Sequence, residues 1–243
     1  MKKLYEKSEL VFALLWIGAY VVGMSLCDSL SQRIGAEHAI TAAIGLCTSV
    51  FLLFWLKKNG LLRRFGLCKA DISSKAFLWY IPLAVITSRN LWSGVVPQYD
   101  AAGTVFFVLK MFSVGFLEEL IFRGFLFQAM RRDNVKSAMI VSSITFGLGH
   151  IVNLLSGMNL LDNLFQIVSA VAIGFLYVII FYRGESLWPC VISHGLLNAC
   201  SALANETVSI EEESILQAVL FLVVIGYTLV LQKTLPRNRQ AAE

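Results

Sequence analysis

Eight apolar runs dominate the sequence: Leu10 to Cys27, Ala39 to Leu56, Ala76 to Val96, Val105 to Met130, Ser137 to Leu155, Leu164 to Tyr182, Leu187 to Leu203, and Ile215 to Leu231. Each approaches the roughly 20 residues that a helix needs to cross a hydrocarbon core of about 30 Å. In lipid every backbone N–H and C=O has to be satisfied internally, so only helices or closed barrels can span it. The runs are continuous rather than alternating, which selects helix. Composition agrees, with 57% hydrophobic and 15% charged residues against about 25% charged in an ordinary soluble chain. The expected fold is an all-α polytopic membrane bundle of about eight transmembrane helices, forming one domain over residues 1–243.

Charge in the loops tests that layout. Lys2, Lys3, Lys7, Lys57, Lys58, Arg63, Arg64, Lys69, Lys75, Arg131, Arg132, Lys136, Arg183, Lys233, Arg237 and Arg239 fall on one side, sixteen of the twenty basic residues. The other side carries Arg33 with Asp28, Glu37, Asp100, Asp162, Glu206, Glu211, Glu212 and Glu213. The positive-inside rule then places both termini in the cytoplasm, with an even number of spans. This sidedness accounts for the net charge of +4 without nucleic acid, for which the chain carries no signature. The five cysteines form no CxxC pair and indicate neither a disulfide framework nor a thiol metal site. The first run is too long for a signal peptide and lacks a small-x-small cleavage site, so it is read as the first span.

Within the fourth run, Phe116 to Phe127 places Glu118, Glu119 and Arg123 among large apolar residues, with Lys110 upstream. Four formal charges in one span cost on the order of 10 kcal/mol by insertion scales, and such a penalty marks a site. Glu119 and Arg123 are four residues apart and share a helix face, whereas Glu118 lies about 100° away. Two of the three histidines, His150 and His194, also lie inside runs, and Asn198 follows His194 by one turn. At about 1.5 Å per residue, Glu118, His150, His194 and Asn198 fall roughly 11 to 20 Å from the cytoplasmic edge, deep enough to share one cavity. A carboxylate and a histidine can deprotonate water, while a second histidine and an amide can donate to an oxyanion. That chemistry is hydrolysis without a Ser or Cys nucleophile. Gly147, Gly149 and Gly195 are expected to let a substrate backbone approach.

Three motifs occur in order: Glu118-Glu119-Leu-Ile-Phe-Arg123, Phe146-Gly-Leu-Gly-His150 and His194-Gly-Leu-Leu-Asn198. Together they resemble the signature of the CPBP (CAAX protease and bacteriocin-processing, or Abi) intramembrane proteases, which are related to the CAAX-prenyl endoprotease Rce1. The resemblance implies an endopeptidase core over residues 105–204. It implies that Glu118 with His150 activates a water, that His194 and Asn198 form the oxyanion hole, that Glu119 and Arg123 make a structural ion pair, and that Phe146 packs beside the cavity. Members have been described both as zinc enzymes and as metal-independent glutamic proteases. If zinc is used, Glu118, His150 and His194 are the ligands; without HExxH, the sequence favours no metal. The implied substrate is a peptide or membrane protein at the bilayer, and the compact chain resembles bacterial plasma-membrane members.

Other readings of the same residues are a transporter or proton relay, because ionisable groups at midplane also mark ion paths, and a non-catalytic immunity or regulatory membrane protein. No internal repeat supports the transporter. Arg89, Asn90 and Lys110 are read as interfacial residues reaching toward headgroups. Pro82 and Pro189 are read as kinks in the third and seventh spans.

Overall fold

The computed structural model describes residues 1–205 and 207–235. Glu206, Arg237 and Arg239, which entered the charge alternation, lie outside the described residues. The described chain is helical. A short α1 (Lys2–Lys7) precedes α2 (Glu9–Arg33) and α3 (Ala39–Lys58). A 3-10 turn (Ser74–Tyr80) leads into α4 (Ile81–Thr87), and α5 (Ala101–Glu118) continues without a break through a π-helical stretch (Glu119–Phe127) into α6 (Gln128–Met130). Then come α7 (Val135–Leu148), which runs on as 3-10 helix (Gly149–Ser156), α8 (Leu160–Gly184), α9 (Trp188–Ala199) and α10 (Ile210–Thr234).

The helices begin where the sequence can satisfy their first N–H groups. Ser8, Asp100, Asn134, Asn159 and Ser209 each accept a hydrogen bond from an N–H of the helix they precede. Glu211, Glu212 and Glu213 complement the positive end of the α10 dipole.

Among the described residues five helices are long and apolar enough to cross a membrane: Glu9–Arg33, Ala39–Lys58, Val135–Leu155, Leu160–Gly184 and Ile210–Thr234. The chain is an integral membrane protein of all-helical architecture, with five such helices where eight spans were expected. The continuous helix from Ala101 to Met130, which is not among the five, carries the buried Lys110, Glu119 and Arg123. The third run is not one helix. Leu78, Trp79 and Tyr80 take positive φ, so the backbone breaks before α4, which has only 7 residues. Pro82 stands in the first turn of α4 and Pro189 in the first turn of α9. A proline there loses no helical hydrogen bond, so both start helices instead of kinking them. The seventh run is a 12-residue α9 closed by a 3-10 turn (Cys200–Leu203).

The loops assigned to one side by charge converge at one end of the bundle. Arg64 and Arg132 both pair with Glu9, and Arg131 pairs with Glu185. At the other end Val96 N–H donates to the Leu203 carbonyl, and His38 packs edge-on to Tyr99. These two ends are called the basic and the acidic end below.

Close crossings place α5, α8 and α9 around the site. A Cβ on Gly115 would stand 2.7 Å from the Gly195 nitrogen, so α5 and α9 touch backbone to backbone. A Cβ on Gly147 would stand 2.9 Å from the Ile167 carbonyl oxygen of α8. Gly147 and Gly195 are therefore spent on helix crossings and do not face a substrate; only Gly149 of the three expected positions has open space beside it. Small residues let helices approach this closely where lipid supplies no hydrophobic driving force.

Candidate active site

The two carboxylates of the fourth run straddle a single imidazole. Glu119 Oε1 lies 2.9 Å from His194 Nδ1, and Glu118 Oε2 lies 3.4 Å from His194 Nε2. Neighbouring residues on a helix point about 100° apart. A ring with nitrogens on two edges, inserted from α9, reaches both. The segment from Glu119 is π-helical, a conformation that is rare overall and frequent at functional sites.

Glu119 and Arg123 form an ion pair at 3.0 Å with both side chains fully buried. The Arg123 guanidinium lies 4.1 Å from the centroid of the Phe146 ring and 5.8 Å from that of Tyr177. Aromatic faces thus help hold a cation that water cannot reach. Room for it comes from Gly174, where a Cβ would stand 2.7 Å from Arg123 Nη2. Phe146 is the hub of this layer. Its ring meets those of His150 and His194 edge-on at 5.3 and 5.6 Å between centroids.

His150 sits where α7 gives way to 3-10 helix. Its Nδ1 lies 3.2 Å from the Phe146 carbonyl oxygen, and its own carbonyl accepts from Asn163 Nδ2 at 2.8 Å. Asn198 is on the last turn of α9. The preceding carbonyl, of Leu197, accepts from Asn90 Nδ2 at 2.7 Å, which pins that turn.

Two cavities adjoin these residues. One, of about 470 Å³, is lined by Glu118, His150 and Asn198 together with Tyr20, Asp28 and Lys110. The other, of about 670 Å³, is lined by His194, His150 and Asn198 together with Arg89, Glu213 and Gln217. His150, Asn198, Asn90 and Phe146 face both. The four residues expected to do chemistry are thereby gathered at one place, although among the described residues no hydrogen bond joins Glu118 directly to His150.

Several residues of this layer had no signal in the sequence. Tyr20, on α2, donates its hydroxyl to Glu118 Oε1 at 2.7 Å. In the sequence it is one more aromatic residue in an apolar run. Lys110 and Arg89 do not reach toward headgroups. Lys110 is buried and donates to Asp28 at 2.7 Å, where Thr41 also donates, and Arg89 is buried and paired with Glu213. The partners lie 82 and 124 residues away in sequence, so spacing carried no hint of them.

The zinc alternative calls for Glu118, His150 and His194 as ligands. Glu118 and His194 lie 3.4 Å apart, and the Nδ1 of each histidine faces an acceptor, Glu119 or the Phe146 carbonyl, as it would in a metal ligand and in a metal-free histidine alike. Among the described residues no three or more His, Cys, Asp or Glu side chains are grouped to hold a metal ion.

Fold and site together define a helical membrane protein with a carboxylate–histidine centre inside it. Residues 100–200 match the model of the family described as Type II CAAX prenyl endopeptidase Rce1-like. That match bears out the resemblance carried by the three motifs: the segment from 100 to 200, which supplies Glu118, His150, His194 and Asn198, is similar to the Rce1-like CAAX-protease family. Neither a curated protein nor a solved structure matches the chain.

Proposed function

We propose that this protein is an intramembrane endopeptidase of the CPBP type, in which Glu118 and His150 activate a water and His194 and Asn198 stabilise the oxyanion. The observation that carries the reading is the placing of Glu118 3.4 Å from His194 Nε2 at the edge of a cavity that His150 and Asn198 also line. In this reading water loses a proton to Glu118 and its oxygen attacks the peptide carbonyl. Asn198 and His194 hold the developing oxyanion by hydrogen bonds, and the leaving amine takes up a proton as the C–N bond breaks.

Glu119 contributes more than a helix tie. An ionised carboxylate only accepts, so His194 Nδ1–H donates to it; as an oxyanion donor the ring carries its second proton on Nε2, the nitrogen turned toward Glu118. Arg123 in turn holds Glu119 in place. The roles resemble those of a histidine oriented by a buried acid in other hydrolases.

Topology belongs to the same proposal: eight membrane-traversing segments, counting the broken third and the short seventh, with both termini cytoplasmic in a bacterial plasma membrane. Convergence of Arg64, Arg131 and Arg132 at one end of the bundle supports that sidedness.

The test is cleavage of a quenched peptide library by detergent-purified protein, with Glu118→Ala as control and with and without a strong zinc chelator. Activity lost in Glu118→Ala and retained with chelator is expected. Loss to the chelator with recovery on adding zinc would move the site to a metal mechanism. No cleavage by the wild type across the library would count against the protease itself.

A further inference from the structure

The site has a floor at one end and openings at the other. Toward the basic end, Phe65, Phe125, Phe127 and Phe181 are each at most 2% exposed, with Phe65 meeting Phe125 and Phe127 meeting Phe181 edge-on in the turn that follows Arg123. Gly66 lets Phe181 close against the loop, since a Cβ there would stand 2.3 Å from the ring. Beneath this plug, Glu9 gathers Arg64 and Arg132. Among the described residues, none of the basic loops lines either cavity that reaches Glu118 or His194.

Both cavities instead run to the acidic end. One passes Asp28, in the last two turns of α2, and Lys110, midway along α5. The other passes Asp162 and Glu213, in the first turns of α8 and α10. A third hollow, of about 930 Å³, does start at the basic loop Lys69–Ser74 and follows the groove between α4 and α9. It stops short of the chemistry. Thr87 Oγ1 and the Tyr177 hydroxyl both hydrogen-bond Ser193 Oγ, at 2.7 and 2.8 Å, which closes the wall between that groove and His194.

We infer that water and substrate reach Glu118 and His194 from the acidic end, so that the substrate is a peptide or protein segment exposed on the extracytoplasmic face of the membrane. The inference rests on the protease reading and on the basic loops being cytoplasmic. Sealed vesicles separate these. The full-length protein is placed in right-side-out and inside-out membrane vesicles and given the quenched peptide library as an impermeant probe. Cleavage is expected with right-side-out vesicles, is expected to vanish in Glu118→Ala, and is expected with inside-out vesicles only after detergent opens them. Orientation is read independently by an impermeant maleimide on Asp162→Cys at the cavity mouth and Lys58→Cys in the basic loop, each over the wild-type background. Labelling of Asp162→Cys alone in right-side-out vesicles is the expected pattern. The reverse labelling, or correct labelling with cleavage confined to intact inside-out vesicles, overturns the inference; the latter result would assign access to the groove between α4 and α9. Failure of the solubilised wild type to cleave anything defeats the protease reading first and this inference with it, a result distinct from cleavage on the wrong side.

Discussion

His194 Nδ1 lies 2.9 Å from Glu119 Oε1, and the same carboxylate is 3.0 Å from Arg123. One buried acid thus serves a structural cation and a histidine of the site at once. Removing the cation leaves the buried Glu119 with His194 but without its counter-charge. Arg123→Ala is expected to lose about 3 to 5 kcal/mol of stability, read as an earlier thermal unfolding in detergent. The double variant Glu119→Gln/Arg123→Met is expected to recover much of that stability without recovering peptidase activity, because His194 Nδ1 then has no anionic partner.

Glu118 and His150 are the residues whose loss is expected to separate chemistry from folding. The Glu118 side chain is 14% exposed and faces a cavity, so truncation leaves no sealed void. Glu118→Ala and His150→Ala are expected to unfold close to the wild-type temperature while kcat/KM falls by roughly 100-fold or more. Full activity in Glu118→Ala would remove it as the base.

Tyr20 holds one oxygen of Glu118 and leaves the other toward His194. A hydrogen bond to a charged group contributes about 1.5 to 3 kcal/mol, or roughly 10- to 100-fold in rate if it is used in the transition state. Tyr20→Phe keeps the ring and its packing. It is expected to lower kcat by that factor with KM nearly unchanged; steady-state kinetics on a single cleaved peptide decides it.

The crossing of α5 and α9 offers a test of how site geometry depends on packing. A methyl on Gly115 meets the backbone of Gly195, which has no rotamer to yield with. Gly115→Ala is expected to cost about 1 to 3 kcal/mol and to reduce activity by drawing His194 away from Glu118. Gly226→Ala on α10, where nothing lies within 4 Å, is the control, expected to be neutral or slightly stabilising. Thermal unfolding and cleavage rate, measured on both, separate a local clash from a general effect of replacing glycine.

The membrane class, the helical architecture and the protease motifs were legible in the linear chain, because hydrophobic run length and i, i+4 spacing are local properties that lipid reads directly. Glu118, Glu119 and Arg123 announced themselves by their cost: three charges in an apolar run have to be partnered. Local spacing also misled. Lys110 and Arg89 looked like residues reaching for headgroups, and Pro82 and Pro189 like kinks, because what decides each is a partner or a backbone break that spacing does not encode. The partners Asp28, Glu213, Tyr20 and His194 arrive from other helices. Sequence alone determined that charge would be buried in this bundle and which residue types would carry it. Only the tertiary structure decided that the two neighbouring carboxylates share one imidazole, that an aromatic plug closes the site toward the basic loops, and that its cavities open the other way. Those relations depend on where helix axes cross, and the crossings are set by small residues such as Gly115, Gly174 and Gly195, whose meaning appears only when the facing backbone or side chain is in place.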